Sequence, residues 1–322
     1  MQGLKKARLG ILRAKSIAIA GHINPDGDSL GSLLALGLGL EKLGKRVYML
    51  CADEIPSMYH FLPGVKDILN SIKKKVDLAI SVDCSVEELL GENIRVFKKA
   101  KSILEIDHHE FRRDFGDIKL VDDKAAAVGE LVYMLLKALN IRITPEIAEN
   151  LLTSILAETN SFKLPSVRPY TFKLCAKLLD TGVDFYGLAE RVYWSKPKES
   201  AVLSGLCLSR CKFLKKGRIA WSIIRRKDFA KIKGRDYNID AVANEIRSIK
   251  GVMIVVLFRE KNKRLFRVSL RSKGEINIAS IAERYNGGGH FDVAGCYIKN
   301  NTKSMKELLE FTEDLLKQKG VY

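Results

Sequence analysis

"GHINPDGDSLGSLLALG", residues 21–37, puts His22, Asp26 and Asp28 within nine residues. It follows the apolar run "SIAIA" (16–20) and leads into a helix-like run of Leu, Ala and Gly. Two readings compete here. In one, Asn24-Pro25-Asp26-Gly27 is turn chemistry, and Asp28 or Ser29 caps the helix that follows. In the other, the acids form a metal site with His22, because carboxylates at the end of an apolar strand destabilise it unless something compensates them.

The neighbouring sequence supplies a context. "SIAIAG" (16–21), "RVYML" (46–50), "DLAISVD" (77–83), "SILEID" (102–107) and "DIKLVD" (117–122) read as short apolar strands. "LGSLLALGLGLEKLG" (30–44) reads as a helix, and a Pro/Gly-punctuated helical region runs through Pro63 and Gly64. Short apolar strands separated by helices predict an α/β fold with a parallel sheet covered on both faces. In such sheets ligands bind at the carboxyl ends of the strands. His22, Asp26 and Asp28 follow one such end, Asp83 closes another, and Asp107-His108-His109 closes a third.

From about residue 125 the pattern turns helical, in "AAAVGELVYMLLKALN", "TPEIAENLLTSILAETN" and "RPYTFKLCAKLLDTG". Pro145 just after Thr144 is a good helix start. A stretch over 185–210 contains the domain connection. The chain then restarts with "RIAWSIIR", "GVMIVVLFRE" and "RLFRVSLRSK", helix candidates at 239–249 and 276–285, and a last helix at 303–318. The expected division is 1–195 as a first domain, 196–210 as a connecting helix or linker, and 211–322 as a smaller α/β domain.

At 322 residues and 47% apolar, the chain can build full cores and is not of the disordered class. No stretch reaches 18 uncharged apolar residues. The beginning, "MQGLKKARLGILRAK", reads as a basic amphipathic helix without a signal-peptide core. The six cysteines (51, 84, 175, 207, 211, 296) form no CxxC pair. These features predict reduced thiols, a cytoplasmic location and no membrane partner. Formal net charge is +17, and Arg210–Glu275 holds 20 Lys/Arg against 6 Asp/Glu, a local +14. Such a face suits an anionic partner; a lysine-rich solubilising surface is the other reading.

His22, Asp26, Asp28, Asp83, Asp107, His108 and His109 form an oxygen- and nitrogen-rich set without thiolate, which suits Mn²⁺ or Mg²⁺, with His favouring Mn²⁺. It holds more carboxylates than one ion needs, and clustered like charges raise their own pKa values unless cations neutralise them. Two divalent ions bridged by a shared Asp would resolve this. Four of the five histidines, 22, 108, 109 and 290, fall in these motifs.

"GHINPDGDSLGS", "SVDCS", "EIDHHE" and "NGGGHFDVAGC" resemble the DHH phosphoesterase family, and more narrowly its two-domain members with a C-terminal DHH-associated domain ending in a GGGH motif. That group includes oligoribonucleases that also dephosphorylate pAp, single-strand exonucleases and cyclic-dinucleotide phosphodiesterases. The resemblance implies two Mn²⁺ ions, with Mg²⁺ or Co²⁺ as substitutes, in an active site between the two domains. His22 and Asp26 would hold one ion, Asp28 and His108 the other, and Asp83 would bridge them. His109 is expected beside the scissile phosphate, with Asp107 orienting an imidazole and a water as nucleophile. The family's further ligand comes from a "DTG-S-F" segment. Here "AETNSF" (157–162) puts Glu158 in place of the Asp and Asn160 in place of the Gly. The longer side chain moves the carboxylate by about a bond length, which bears on ion spacing and metal preference.

In the second domain the resemblance implies that Arg271, Ser272 and Lys273, with Gly287, Gly288, Gly289 and His290, grip the substrate's terminal phosphate and nucleotide. Taken alone, the glycine run also reads as a helix C-cap after "IAERY". Tyr237, Phe266 and Tyr285 are either base-stacking residues or core. The expected function is a Mn²⁺-dependent phosphodiesterase that removes mononucleotides from short RNA or single-stranded oligonucleotides. The chain has no room for an added nucleic-acid-binding domain, which favours short substrates. Alternatives are a pAp phosphatase or a linear or cyclic dinucleotide hydrolase and, from another class, a non-catalytic nucleic-acid-binding scaffold. An inorganic pyrophosphatase fits the basic second domain less well. Oligomeric state is open, a homodimer being one option.

Overall fold

In the computed structural model, residues 2–194, 197–231, 239–289, 291–318 and 320 are described. They form two compact units, 1–195 and 196–322.

The first unit opens with α1 (Gln2–Arg13), whose Ala7 and Ile11 are buried while Lys5, Lys6 and Arg13 face outward and Arg8 donates to the Ala138 carbonyl at 2.8 Å. There follow β1 (Ser16–Ala20), α2 (Gly27–Lys42), β2 (Arg46–Leu50), β3 (Leu78–Val82), α3 (Ile94–Phe97), β4 (Ser102–Asp107) and β5 (Ile118–Val121). Next come α4 (Val128–Ala138), α5 (Pro145–Glu158), α6 (Pro169–Leu179) and α7 (Phe185–Tyr193). The sheet is wholly parallel in the order β2-β1-β3-β4-β5. The chain runs outward one way from β1 and then the other, so its order reverses between β1 and β3, where open α/β sheets place their ligands. Register levels the carboxyl ends: Ala20 lies opposite Ser81, and Val82 opposite Ile106.

The helix expected at 30–44 starts three residues earlier. Asp26 is its N-cap, its carboxylate accepting the N–H groups of Asp28 and Ser29 at 3.0 Å each. The cap therefore falls on Asp26 and not on Asp28 or Ser29. α2 is buried along almost its whole length because it is sandwiched between other elements, α5 among them. Gly31 permits this approach: a Cβ there would lie 2.4 Å from the Asn150 carbonyl oxygen. The Pro63–Gly64 region expected to be helical contains only short 3-10 turns at Ser57–Tyr59 and Val65–Asp67. Pro145 opens α5 after Thr144, although the Thr144 hydroxyl makes no capping bond.

The second unit contains α8 (Lys198–Ser209), β6 (Lys212–Leu214), β7 (Ile219–Ile224), α9 (Arg226–Lys231), α10 (Ile239–Arg247), β8 (Ile254–Glu260), β9 (Leu265–Ser272), α11 (Ala279–Arg284), β10 (Gly288–Gly289), β11 (Val293–Lys299) and α12 (Thr302–Gln318). Its sheet runs β10-β11-β9-β8-β7-β6, with only β7 and β8 parallel. Alternation along β8 fills two cores. Val256 and Phe258 pack with Ile281 and Leu308, whereas Val255 and Leu257 pack with Leu203, Cys207 and Ile246. The stretch expected to connect the domains thus supplies α8, whose Leu203 and Cys207 belong to the second unit's core. Among the described residues, no helix is long and apolar enough to cross a membrane.

Candidate metal centre

Residues from the ends of β1, β3 and β4, from the start of α2 and from the end of α5 converge above the parallel sheet. His22 Nε2 lies 3.6 Å from Asp26 Oδ1 and 3.4 Å from Asp83 Oδ2. His108 Nε2 lies 3.8 Å from Asp28 Oδ2, 3.8 Å from Asp83 Oδ1 and 3.7 Å from Glu158 Oε1. His109 Nδ1 lies 3.7 Å from Asp83 Oδ1 and 2.7 Å from Asp107 Oδ1. Apart from the His109–Asp107 hydrogen bond, these separations exceed hydrogen-bonding distance. They suit donors that share a cation at bond lengths of roughly 2.0–2.2 Å.

The orientation of the rings fits a metal as well. The Nδ1 atoms of His22 and His108 lie 2.7 and 3.0 Å from the carbonyl oxygens of Ile23 and Ala125. Each ring therefore turns Nε2 toward the carboxylates, the arrangement by which ligating histidines fix their tautomer. Asp28 is fully buried. Its Oδ1 accepts from the hydroxyls of Ser32 (3.0 Å) and Ser154 (2.6 Å), and its Oδ2 accepts the Val128 N–H at the start of α4 (2.9 Å). Asp83 is buried with φ 59°, a left-handed conformation that non-glycine residues rarely adopt. Gly21 makes room for the site: a Cβ there would meet Ser29 Oγ at 2.1 Å, and that hydroxyl accepts the His22 N–H.

The charges need a counterpart. Burial and the carboxylates of Asp28, Asp83 and Asp26 push Glu158 up to about 9. Burial and Asp83, against His108 and Ser154, push Asp28 up to about 7. Burial pulls His22 down, but the Asp26 and Asp83 carboxylates outweigh it and push it up to about 11. His108 and His109 are likewise raised against their burial by facing acids. In addition, Asp107 Oδ2 is buried with no hydrogen-bond partner among the described residues. Too many acids for their solvation, facing imidazoles, is the donor chemistry that divalent cations satisfy.

The structure thus brings together all eight first-unit candidates: His22, Asp26, Asp28, Asp83, Asp107, His108, His109 and Glu158. The turn-and-cap reading holds for Asp26, which caps α2, and the same carboxylate faces His22 within the candidate metal cluster. Ser154 escaped the sequence reading. It stands one helical turn before Glu158 on α5, so the i, i+4 spacing of two polar residues on an apolar helix is the signal that marks it. Glu130 escaped too. Buried in the first turn of α4, it accepts from Arg168 (2.9 Å), Thr171 (2.6 Å) and the Ala126 N–H (3.3 Å), and so braces the segment whose Ala125 carbonyl orients His108.

In the second unit, the glycine run begins as a helix end. Asn286 takes φ 54°, and the N–H groups of Asn286 and Gly287 donate to Glu283 and Ala282. Gly288 and Gly289 then pair with β11 as β10. The Arg271 side chain is buried, with Nη1 donating to the Leu270 carbonyl. The Ser272 hydroxyl donates to the Ile276 carbonyl. Lys273 reaches the Ile249 carbonyl at 3.5 Å, and its pKa is lowered by partial burial and by nearby Arg247. Arg247, which the sequence reading did not single out, pairs with Asp292 at 3.1 Å. His290 and Tyr237 lie outside the described residues.

Comparison with known proteins agrees with this architecture. Residues 16–157 match the DHH family N-terminal domain, and residues 229–318 match the DHHA1 domain. A bifunctional oligoribonuclease and PAP phosphatase, NrnA, of Thermus thermophilus is 30% identical over 94% of this chain and 91% of its own length. The crystal structure of an exopolyphosphatase-related protein from Bacteroides fragilis superposes with a TM-score of 0.88 at 25% identity, covering 98% of this chain and 96% of that one. The exonuclease RecJ, solved with manganese bound, shares the fold at 15% identity and a TM-score of 0.52, over 99% of this chain and 95% of that one. By its matched domains, its order of motifs and its full-length relatives, this chain belongs to the DHH family of phosphoesterases, in the form that carries a C-terminal DHHA1 domain.

Proposed function

We propose that this phosphoesterase hydrolyses short single-stranded oligonucleotides, RNA foremost, to mononucleotides, using two Mn²⁺ ions. The observation that carries the two-ion reading is Asp83: one carboxylate oxygen faces His22 and the other faces His108 and His109. His22 and Asp26 would hold one cation, His108, Asp28 and Glu158 the other, with Asp83 shared. Bound there, such a pair supplies Lewis acidity toward a phosphoryl oxygen and makes water nucleophilic near neutral pH. The remaining work falls to the chain. Asp107 Oδ1 fixes His109 through Nδ1, and the facing acids favour a protonated ring suited to donating to a phosphate oxygen. Water adds to phosphorus and gives up a proton to solvent, while the bond from phosphorus to the 3′-oxygen of the departing nucleotide breaks and that oxygen takes up a proton. Arg271, Lys273 and Arg247 are the cations of the second unit assigned to the substrate's terminal phosphate, with Ser272, Gly287–Gly289 and His290 shaping that grip. The short-RNA substrate class is supported by the Thermus relative, and that protein's second named activity favours pAp as a further substrate of the same centre.

The test is a parallel assay with Mn²⁺ on a short RNA, a long single-stranded DNA, pAp and a cyclic dinucleotide. Asp83→Asn, which tolerates the left-handed backbone, serves as control. Fast loss of the short RNA that the variant fails to produce is the expected result. Turnover of the cyclic compound alone would replace the substrate assignment, and undiminished turnover by Asp83→Asn would remove the bridging role.

A further inference from the structure

Phe111 stands two residues beyond His109, on the loop that leaves the metal centre, and is 82% exposed, more than any other large apolar side chain among the described residues. The next most exposed, Trp194 and Tyr186, at least pack edge-to-face on each other. Phe111 joins neither a core nor a ring pair among the described residues. A single exposed aromatic is unremarkable in itself; its setting is what distinguishes this one.

The loop is hydrogen-bonded on both sides of the ring. On the near side, His108 and His109 donate their backbone N–H groups to Asp107. On the far side, the Arg113 N–H donates to the Ser85 carbonyl at 2.8 Å, and the Arg113 guanidinium takes both oxygens of Glu88. Arg112 pairs with Asp114 at 2.6 Å, and Phe115 donates its N–H to the buried Glu105 carboxylate at 2.6 Å. Arg112, Arg113 and Asp114 are thus paired with one another or with Glu88, and the Phe111 ring stands exposed beside them and Glu110. The candidates in the second unit offer less: Phe266 is fully buried and Tyr285 packs against the same core.

We propose that Phe111 is a stacking platform for a nucleobase of the substrate, on the flank of the centre formed by the loops after β3 and β4. The inference rests on the oligonucleotide reading and deepens it. A flat apolar face on a hydrogen-bonded loop beside the reacting phosphate accepts any base, because every base has a π-face, and so gives affinity without sequence choice. It would hold the nucleoside adjoining the scissile bond while leaving the chemistry to the metal ligands.

The experiment measures steady-state hydrolysis of the dinucleotide pApA and of the same backbone lacking both bases, for the wild type, Phe111→Ala and Phe111→Trp. Phe111→Ala should raise KM for pApA about 5- to 150-fold and leave the abasic analogue unchanged, with Phe111→Trp close to wild type. Independently of turnover, AMP should quench the added fluorescence of Phe111→Trp, and ribose 5-phosphate should not. Wild-type hydrolysis with an unchanged KM in Phe111→Ala and no quenching overturns the stacking role and leaves the enzymatic reading standing. Quenching by AMP in a protein that hydrolyses none of the oligonucleotides overturns the enzymatic reading alone.

Discussion

Asn160 shows how a residue other than glycine can sit on a left-handed backbone. It takes φ 45° directly after the end of α5, where the family pattern has glycine, and Asn is among the non-glycine residues best able to do so. Ser161 and Phe162 follow at 62° and 63°, so three consecutive left-handed residues turn the chain just beyond Glu158. Asn160→Gly should therefore hold or slightly raise the melting temperature, while Asn160→Val should destabilise by about 1–2 kcal/mol, read from urea midpoints. The exchange of Asp for Glu at 158 was legible in the sequence. That its carboxylate still comes within 3.7 Å of His108 was not, because the reach of a side chain depends on where its helix ends.

At the scale of elements, the strands were legible because each is a short apolar run bounded by polar residues. The start of α2 was misplaced because capping depends on which of three neighbouring polar residues turns its oxygen inward. The lower edge of the sheet has its own clamp. Asp77 Oδ2 accepts the N–H groups of Lys15 and Ser16 at 2.9 and 3.0 Å, and Oδ1 accepts Lys101 Nζ at 2.7 Å, tying the starts of β1 and β3. Lys101 and these backbone donors hold the carboxyl well below the usual carboxylate range. The folded state thus binds a proton there less readily than the unfolded chain. Its contribution is present above the ordinary Asp value near 4 and fades as pH falls below it. Asp77→Asn should lower the urea midpoint relative to wild type at pH 7, and the gap should narrow toward pH 3. A gap that widens on acidification would show that the clamp does not act through its charge.

For the whole molecule, the two-unit plan and the basic second half were visible in composition and strand pattern alone. The membership of α8 in the second unit was not, since helical periodicity says which face is apolar but not which sheet that face will cover. Because all proposed metal ligands lie in the first unit, cations should stabilise one unit only. Calorimetry with Mn²⁺ at about 100 times its dissociation constant should raise the transition of residues 1–195 by about 2.7 kcal/mol for each ion bound. The transition of the second unit should stay where it is in EDTA. A single transition moving as a whole would mean that the units unfold together.

Asp28 carries a consequence for reading other sequences. Its carboxylate tethers two serines and the first N–H of α4 as well as facing His108, so it is part of the fold whether or not a cation is present. A descendant that lost its chemistry would still be under pressure to keep this acid, or to accept a loosened junction of α2, α4 and α5. The presence of an acid at this position in a distant homologue is therefore poor testimony of a working enzyme. His22 and Asp83, which face the other candidate metal ligands and tie no helices together, are the better witnesses.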